Sequence, residues 1–230
     1  MILSQQNSLN HIAIILDGNK RWSIKEKTSI LKGYEKGLEK INLISNFAID
    51  NKINYLTLYT LSSENIKRNT VNHIYKIIYE YFNNFLNKII DEKKIKLKII
   101  GERNNIPKEI LNIINECEIK TSNNNTLNLN LAFNYGFKNE LIYVLNQVKK
   151  NKSNIHLDIN NIKKLFYLGE IPDPDLLIRT GGYQRLSNFI LFNLTYSELF
   201  FTDTLWPDFT TKELKKIIFE YKKIERNYGL

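Results

Sequence analysis

Asp17-Gly18-Asn19-Lys20-Arg21-Trp22 is the segment densest in side chains that could do chemistry. A glycine after a strand lets the backbone approach a ligand, and exposed N–H groups at such a turn suit a phosphate. Arg21 adds a planar fork that fits phosphate oxygens. Asp17 would be repelled by phosphate unless a divalent cation lay between them. Mg²⁺ does this, taking one or two carboxylates plus substrate phosphates. The same residues also read as a surface turn with an Asx bend. A second segment, Arg179 to Asn188 (RTGGYQRLSN), sets Arg179, Arg185 and Ser187 around a Gly-Gly turn. Two guanidiniums and a hydroxyl make a polyanion cradle, although an ordinary solvated turn is the alternative. The Lys-Ser ending of a Walker loop is missing. Glu198 follows in an aromatic stretch, NLTYSELFFTD, where a half-buried carboxylate is either paired with an arginine or a metal ligand. Asp17 and Glu198 could share one Mg²⁺.

Ser62-Ser63-Glu64-Asn65, with Arg68, gathers hydroxyls, a carboxylate, an amide and a guanidinium. It could cap a helix, or handle a proton and a phosphate. No Ser-His-Asp arrangement is visible. His11, His73 and His156 fall in a strand, a helix and a loop and read as structural. Cys117 lies in a helical pattern without an activating partner, which points to a core role.

The elements that must position these groups alternate. Isoleucine-rich or alternating runs predict strands over His11–Asp17, Asn54–Leu61, Ile95–Ile100, Leu127–Phe133 and Leu176–Ile178. Apolar residues at helical spacing predict helices over Gly37–Asp50, Val71–Lys93, Pro107–Thr121, Lys138–Asn151 and Thr211–Arg226. Alternation of this kind means an α/β fold, a mostly parallel central sheet flanked by helices. Ligands in such sheets bind at the carboxyl ends of the strands. The Asp17, Ser62 and Arg179 segments and Asn134-Tyr-Gly all fall there. The helix from Val71 is apolar on more than one face, with Phe82 and Phe85, so it is either core or one wall of a hydrophobic tunnel. Two diphosphate cradles, a divalent metal and an apolar channel together suggest prenyl chemistry.

Composition narrows the classes. The chain has 230 residues, 43% hydrophobic and 25% charged, which suits one domain over 1–230. One cysteine excludes a disulfide framework or a cysteine-rich zinc site. No run approaches a membrane span, and the polar start lacks a secretory pattern, so a cytoplasmic location is expected. The formal charge of +9 suggests nucleic acid at first sight. The excess is mainly lysine, in a chain rich in Asn and Ile and poor in Ala, a bias that A/T-rich codons produce without selection for a polyanion. The expectation is therefore no nucleic-acid partner. The informative cations are the six arginines: Arg21, Arg68, Arg103, Arg179, Arg185 and Arg226.

LDGNKRW (Leu16–Trp22), LSSEN (Leu61–Asn65), NLAFNYG (Asn130–Gly136), DLLIRTGGYQRLSNFILF (Asp175–Phe192) and YSELFFTDTLWPDF (Tyr196–Phe209) occur in order. Together they closely resemble the motifs of the cis-prenyltransferases, and the match runs from about His11 to Gly229. The resemblance implies a homodimer that condenses isopentenyl diphosphate onto an allylic diphosphate such as farnesyl diphosphate, with cis double bonds. The product would be a long polyprenyl diphosphate, a lipid carrier for cell-wall glycan synthesis. Asp17 would hold Mg²⁺ and help the allylic diphosphate leave. Gly18, Asn19, Lys20 and Arg21 would cradle that diphosphate with Trp22 beside it, and Arg179, Arg185 and Ser187 would bind isopentenyl diphosphate. Glu198 would be a second Mg²⁺ contact, reaching across to a partner's site. Ser62, Glu64 and Asn65 would sit near the reacting carbons, with Asn65 tied to proton removal, and Arg68 would bind phosphate. The implied substrate-binding set extends to Tyr34, Ser63 and Leu186. A cytosolic enzyme touching the inner membrane face is expected, since the product is a lipid.

The chain departs from the family pattern in several places. Lys20 is usually Gly, Ile30 and Tyr34 stand where Arg and His are usual, and Phe137-Lys138 replaces Gly-Arg. Ile66 is usually aromatic, Tyr183 is usually Glu, Gln184 is often His, and Asn227 stands for an Arg. Lost phosphate contacts should cost roughly 1.5–3 kcal/mol each. The alternative is a weakly active or non-catalytic subunit supporting a partner enzyme. Retention of Asp17, Arg21, Arg179, Arg185 and Glu198 argues against it.

Overall fold

A computed structural model describes residues 7–66, 75, 79–80, 93–104, 106–150 and 158–225. Short β-branched runs build its sheet. β1 (His11–Ile15) is buried at all five positions, and successive side chains alternate between the two faces. Ile12 and Ile14 join one core cluster, with Leu56, Ile44, Ile114 and Trp206. Ala13 and Ile15 join the other, with Tyr59, Tyr135 and Phe189. A strand buried on both faces belongs in the middle of a parallel sheet covered by helices.

That is where β1 lies. β2 (Tyr55–Ser62), β3 (Ile95–Ile100), β4 (Leu127–Tyr135), β5 (Leu176–Arg179) and β6 (Glu198–Phe201) complete a six-stranded sheet in the order β3-β4-β2-β1-β5-β6. All five pairings are parallel. Ile14 pairs with Leu58 on one side and Ile178 on the other. From β1 the chain moves outward to β2, and it later returns to lay β5 on the opposite side. The crevice outside the carboxyl ends of β1 and β5 is therefore the switch point, where such sheets bind ligands.

The expected strands are present within two residues at their ends. β6 was not foreseen, because four residues in an aromatic run carry too little periodicity. The segment after β1 is also corrected: Asn19–Lys25 folds as a short helix, α1, where a loop was expected. α2 (Ile30–Asp50) is two turns longer than its spacing suggested. Ser29 caps it, accepting from the Lys32 N–H at 3.2 Å. Its early turns lack an apolar stripe because they meet α1 closely. A Cβ at Gly37 would lie 2.3 Å from Asn19 Oδ1.

The other described helices are α3 (Ser63–Ile66), α4 (Lys108–Thr121), α5 (Phe137–Lys150), α6 (Ile159–Lys163) and α7 (Thr211–Lys222). α7 ends at Lys222, one turn before the expected Arg226. Most of the expected Val71–Lys93 helix, including the Phe82 and Phe85 tunnel wall, lies outside the described residues, as do Arg68, His73 and His156. No helix among the described residues is long and apolar enough to cross a membrane.

The sheet also carries a buried polar chain. His11 is fully buried, its Nδ1 2.7 Å from the Pro172 carbonyl oxygen and its Nε2 2.7 Å from Thr57 Oγ1. Asn130 Nδ2 donates to the same hydroxyl at 3.0 Å. Burial pushes the His11 pKa down to about 4, against the pull of the Pro172 carbonyl and nearby carboxylates. Cys117 is buried among isoleucines, and burial pushes its thiol up to about 12, so it is inert core.

Candidate active site

Asp17 leaves β1 two residues past Ile15, and Arg179 ends β5. The parallel register pairs Ile15 with Arg179, so the two charged groups emerge side by side. Thr180 fixes the Asp17 backbone. Its hydroxyl accepts from the Asp17 N–H at 3.0 Å and donates to the Asp17 carbonyl at 2.8 Å. With its main chain held, the carboxylate has one place to go.

There it is clamped by two arginines. Arg179 Nη2 donates to Asp17 Oδ2 at 2.7 Å, and Arg21 Nη2 to Oδ1 at 3.1 Å. Arg21 reaches back from the first turn of α1, four residues on. The Arg179 side chain is only 3% exposed, so its charge is nearly desolvated and needs these partners. It also donates to Ser187 Oγ at 2.7 Å and to the Arg185 carbonyl. Within the turn between Arg179 and Arg185, the Gly181 position leaves no room for a side chain. Gly181 has φ 85°, and a Cβ there would lie 2.4 Å from Arg21 Nη2.

These groups line a cleft of about 680 Å³, a size ordinary for small-molecule sites. Asp17, Gly18, Asn19, Lys20, Arg21 and Tyr34 line it from the β1 side, and Arg179, Arg185 and Ser187 from the β5 side. Ser62 and Glu64 close it from β2 and α3. The two expected cradles are thus one continuous cleft. Burial pushes the Glu64 carboxyl up, but hydrogen bonds from its own N–H, Asn188, Ser62 and Ser63 more than offset it, leaving it below the usual range. Glu64 is therefore an ionised acceptor and a weak proton base.

Not every expected site residue lines the cleft. The Trp22 indole N–H donates to Asp208 at 2.7 Å, tying α1 to the Trp206–Asp208 turn instead of facing the cleft. Leu186 packs against the core cluster around Phe189. Ser63 Oγ sits against Gly136. Asn65 lies in α3. Glu198 opens β6, paired with Leu176 at the far end of β5 from Arg179. At about 3.3 Å per residue, that is roughly 10 Å along the strand. One chain does not bring Asp17 and Glu198 together.

Sequence reasoning missed three contributors. Thr180 is hidden by its ordinary type, and its position straight after Arg179 was the only signal. Asn188 joins the first turns of α5 and α3, accepting from the Lys138 N–H at 3.0 Å and donating to Glu64 at 3.0 Å. Tyr183 lies within 4.1–5.8 Å of three guanidinium carbons, measured to its ring centroid. An aromatic between two arginine-bearing turns was its signal.

Among the described residues no three His, Cys, Asp or Glu side chains converge on a point that could hold a metal ion. The donor set nevertheless fits Mg²⁺. That ion needs only one or two carboxylates when substrate phosphates and waters supply the rest, and Asp17 presents one hard carboxylate to the cleft.

Known proteins share this architecture. A family model described as putative undecaprenyl diphosphate synthase matches residues 15–229. An isoprenyl transferase of Fusobacterium nucleatum is 37% identical over 228 residues, covering 98% of this chain and 97% of that one. A Micrococcus luteus protein named ditrans,polycis-undecaprenyl-diphosphate synthase, farnesyl-diphosphate specific, is 35% identical, covering 95% of this chain and 90% of its own. The crystal structure of lavandulyl diphosphate synthase from Lavandula x intermedia, in complex with dimethylallyl diphosphate, superposes with a TM-score of 0.91. It is 27% identical and covers 96% of this chain and 98% of that one. That of a probable undecaprenyl diphosphate synthase from Campylobacter jejuni gives a TM-score of 0.82 at 29% identity, covering 97% of this chain and 100% of that one.

Proposed function

The chain belongs to the undecaprenyl diphosphate synthase family of prenyltransferases, and from that premise we propose that it condenses isopentenyl diphosphate units onto an allylic diphosphate, with farnesyl diphosphate as the acceptor. Residues 1–230 act as one catalytic domain. The product is a long polyprenyl diphosphate with cis double bonds. The observation that carries this reading is the Asp17 carboxylate between Arg21 and Arg179 at the switch point of the sheet.

Breaking an allylic C–O bond develops negative charge on the departing diphosphate, and preorganised cations stabilise that charge most. Arg21, Arg179 and Arg185 supply them, with Arg179 already held by packing and hydrogen bonds, and Asp17 would exchange its bonds to Arg21 and Arg179 for the metal. Asp17 would hold Mg²⁺, which when bound offsets diphosphate charge as a Lewis acid. Glu198 would join it from a second copy of the chain. Ser62, Glu64 and Asn65 orient the reacting ends. An amide is a poor base, so water or the diphosphate takes the proton.

A homodimer is supported by the open edge of the sheet. Leu199 and Phe201 on β6 are 45% and 36% exposed, and α5 also presents exposed Ile142 and Leu145. The reading places the enzyme in the cytoplasm, with its +9 charge favouring contact with anionic lipid. The alternative of a non-catalytic supporting subunit is disfavoured, because a scaffold has no use for the converging Asp17 and arginines.

Purified protein with Mg²⁺, farnesyl diphosphate and labelled isopentenyl diphosphate is expected to give a ladder ending in long polyprenyl diphosphate by chromatography. Chelation of the metal should abolish it. No incorporation by protein with an intact circular dichroism spectrum would overturn the reading.

A further inference from the structure

Tyr183 stands where three cations meet. Its ring centroid lies 4.1 Å from the Arg185 guanidinium carbon, 4.7 Å from that of Arg21 and 5.8 Å from that of Arg179. All three distances are within reach of the attraction between a cation and an aromatic face. The ring is 43% exposed and lines the cleft. The turn that carries it is fixed: the Gly181 and Gly182 N–H groups donate to Thr204 and Thr202 at 2.8 Å.

Three guanidiniums drawn together repel one another. Asp17 offsets this for Arg21 and Arg179, but it does not bond Arg185. The Tyr183 ring is within reach of all three. We infer that Tyr183 is a positioning residue, whose ring gathers Arg21, Arg179 and Arg185 into one cationic plate that receives a diphosphate. The inference rests on the diphosphate chemistry proposed above. An aromatic face suits this task better than a carboxylate would. It holds the cations without cancelling their charge, and a neutral ring repels an incoming anion far less than a carboxylate would. Because Arg21 comes from the β1 side and Arg185 from the β5 side, the ring also joins the two halves of the cleft.

The test is titration calorimetry with inorganic pyrophosphate as the probe, without metal. Tyr183→Phe keeps the ring and should bind within about twofold of the unaltered protein. Tyr183→Leu keeps bulk but loses the face, and should bind about tenfold more weakly, or about 1.4 kcal/mol. Phenylalanines of increasing fluorination at position 183 should weaken binding in steps, since fluorine drains the face that attracts cations. In turnover, Tyr183→Leu should raise KM for the diphosphates more than it lowers kcat. A flat fluorination series, or Tyr183→Leu binding as tightly as the unaltered protein, would overturn the inference.

The condensation assay on the unaltered protein separates the two claims. Condensation with a flat series removes the role of Tyr183 alone. A graded series without condensation removes the proposed reaction alone. Failure of the unaltered protein to bind pyrophosphate removes the role of Tyr183, and the condensation assay still decides the reaction.

Discussion

With Arg179 nearly buried and bonded to Asp17 at 2.7 Å, losing the carboxylate strands a desolvated cation. Asp17→Ala should therefore do two things. It should remove turnover, and it should lower stability by about 2 kcal/mol, less than the full cost of breaking a buried pair because Asp17 itself is 27% exposed. Asp17→Asn keeps an acceptor oxygen and should lose turnover while recovering part of that stability. Thermal melts beside the condensation assay check both variants. If Asp17→Asn turns over normally, the carboxylate charge is not what the reaction needs. The charged members of this site were legible because Asp17, Arg21 and Arg179 each follow an apolar run that ends in a glycine-bearing turn. The contact that Trp22 makes is one that spacing cannot reveal. Its partner Asp208 is 186 residues away, and only the folded chain shows which way the indole turns.

At the scale of elements, the sheet holds a titratable group that has nothing to do with the cleft. His11 on β1 is neutral when folded, and its pKa is about 4, against 6.5 when exposed in the unfolded chain. Between these values the unfolded state binds the extra proton. This contribution to stability is therefore complete above about pH 6.5 and is lost as pH falls toward 4. The loss amounts to about 3 kcal/mol, at 1.36 kcal/mol per pH unit. Denaturant titrations of the native protein and His11→Gln across this range should show a steeper acid slope for the native protein. Equal slopes would mean that His11 does not drive the change.

Element legibility followed the strength of the repeat. β3 could be read to the residue, because Lys96 and Lys98 alternate with buried Ile95, Leu97 and Ile99. The first turns of α2 could not, since a helix face made of glycine to admit α1 shows no apolar period.

At the scale of the whole molecule, the parallel order and the switch point explain why distant motifs converge. Alternation alone predicted the parallel sheet, but the strand order required the structure. The dimer proposal belongs to this scale. Sedimentation equilibrium should return twice the 27.2 kDa chain mass. Leu199→Glu with Phe201→Glu should shift it toward the single chain, by charging an apolar edge. A single-chain mass for the unaltered protein would refute the dimer, and with it the route by which Glu198 could reach a second site.

The Asp17–Arg179 pairing has a consequence in time as well as space. Its partners are separated by 162 residues. At synthesis rates of about 5–20 residues per second, β1 leaves the ribosome roughly 8–30 s before β5 can pair with it. Until then one edge of the five-residue apolar strand β1 lacks its neighbour. The nascent chain can pair β1 with β2 early, but the arginine clamp cannot close until β5 has been made. Catalytic competence in this fold should therefore lag well behind the first strand pairing of a growing chain.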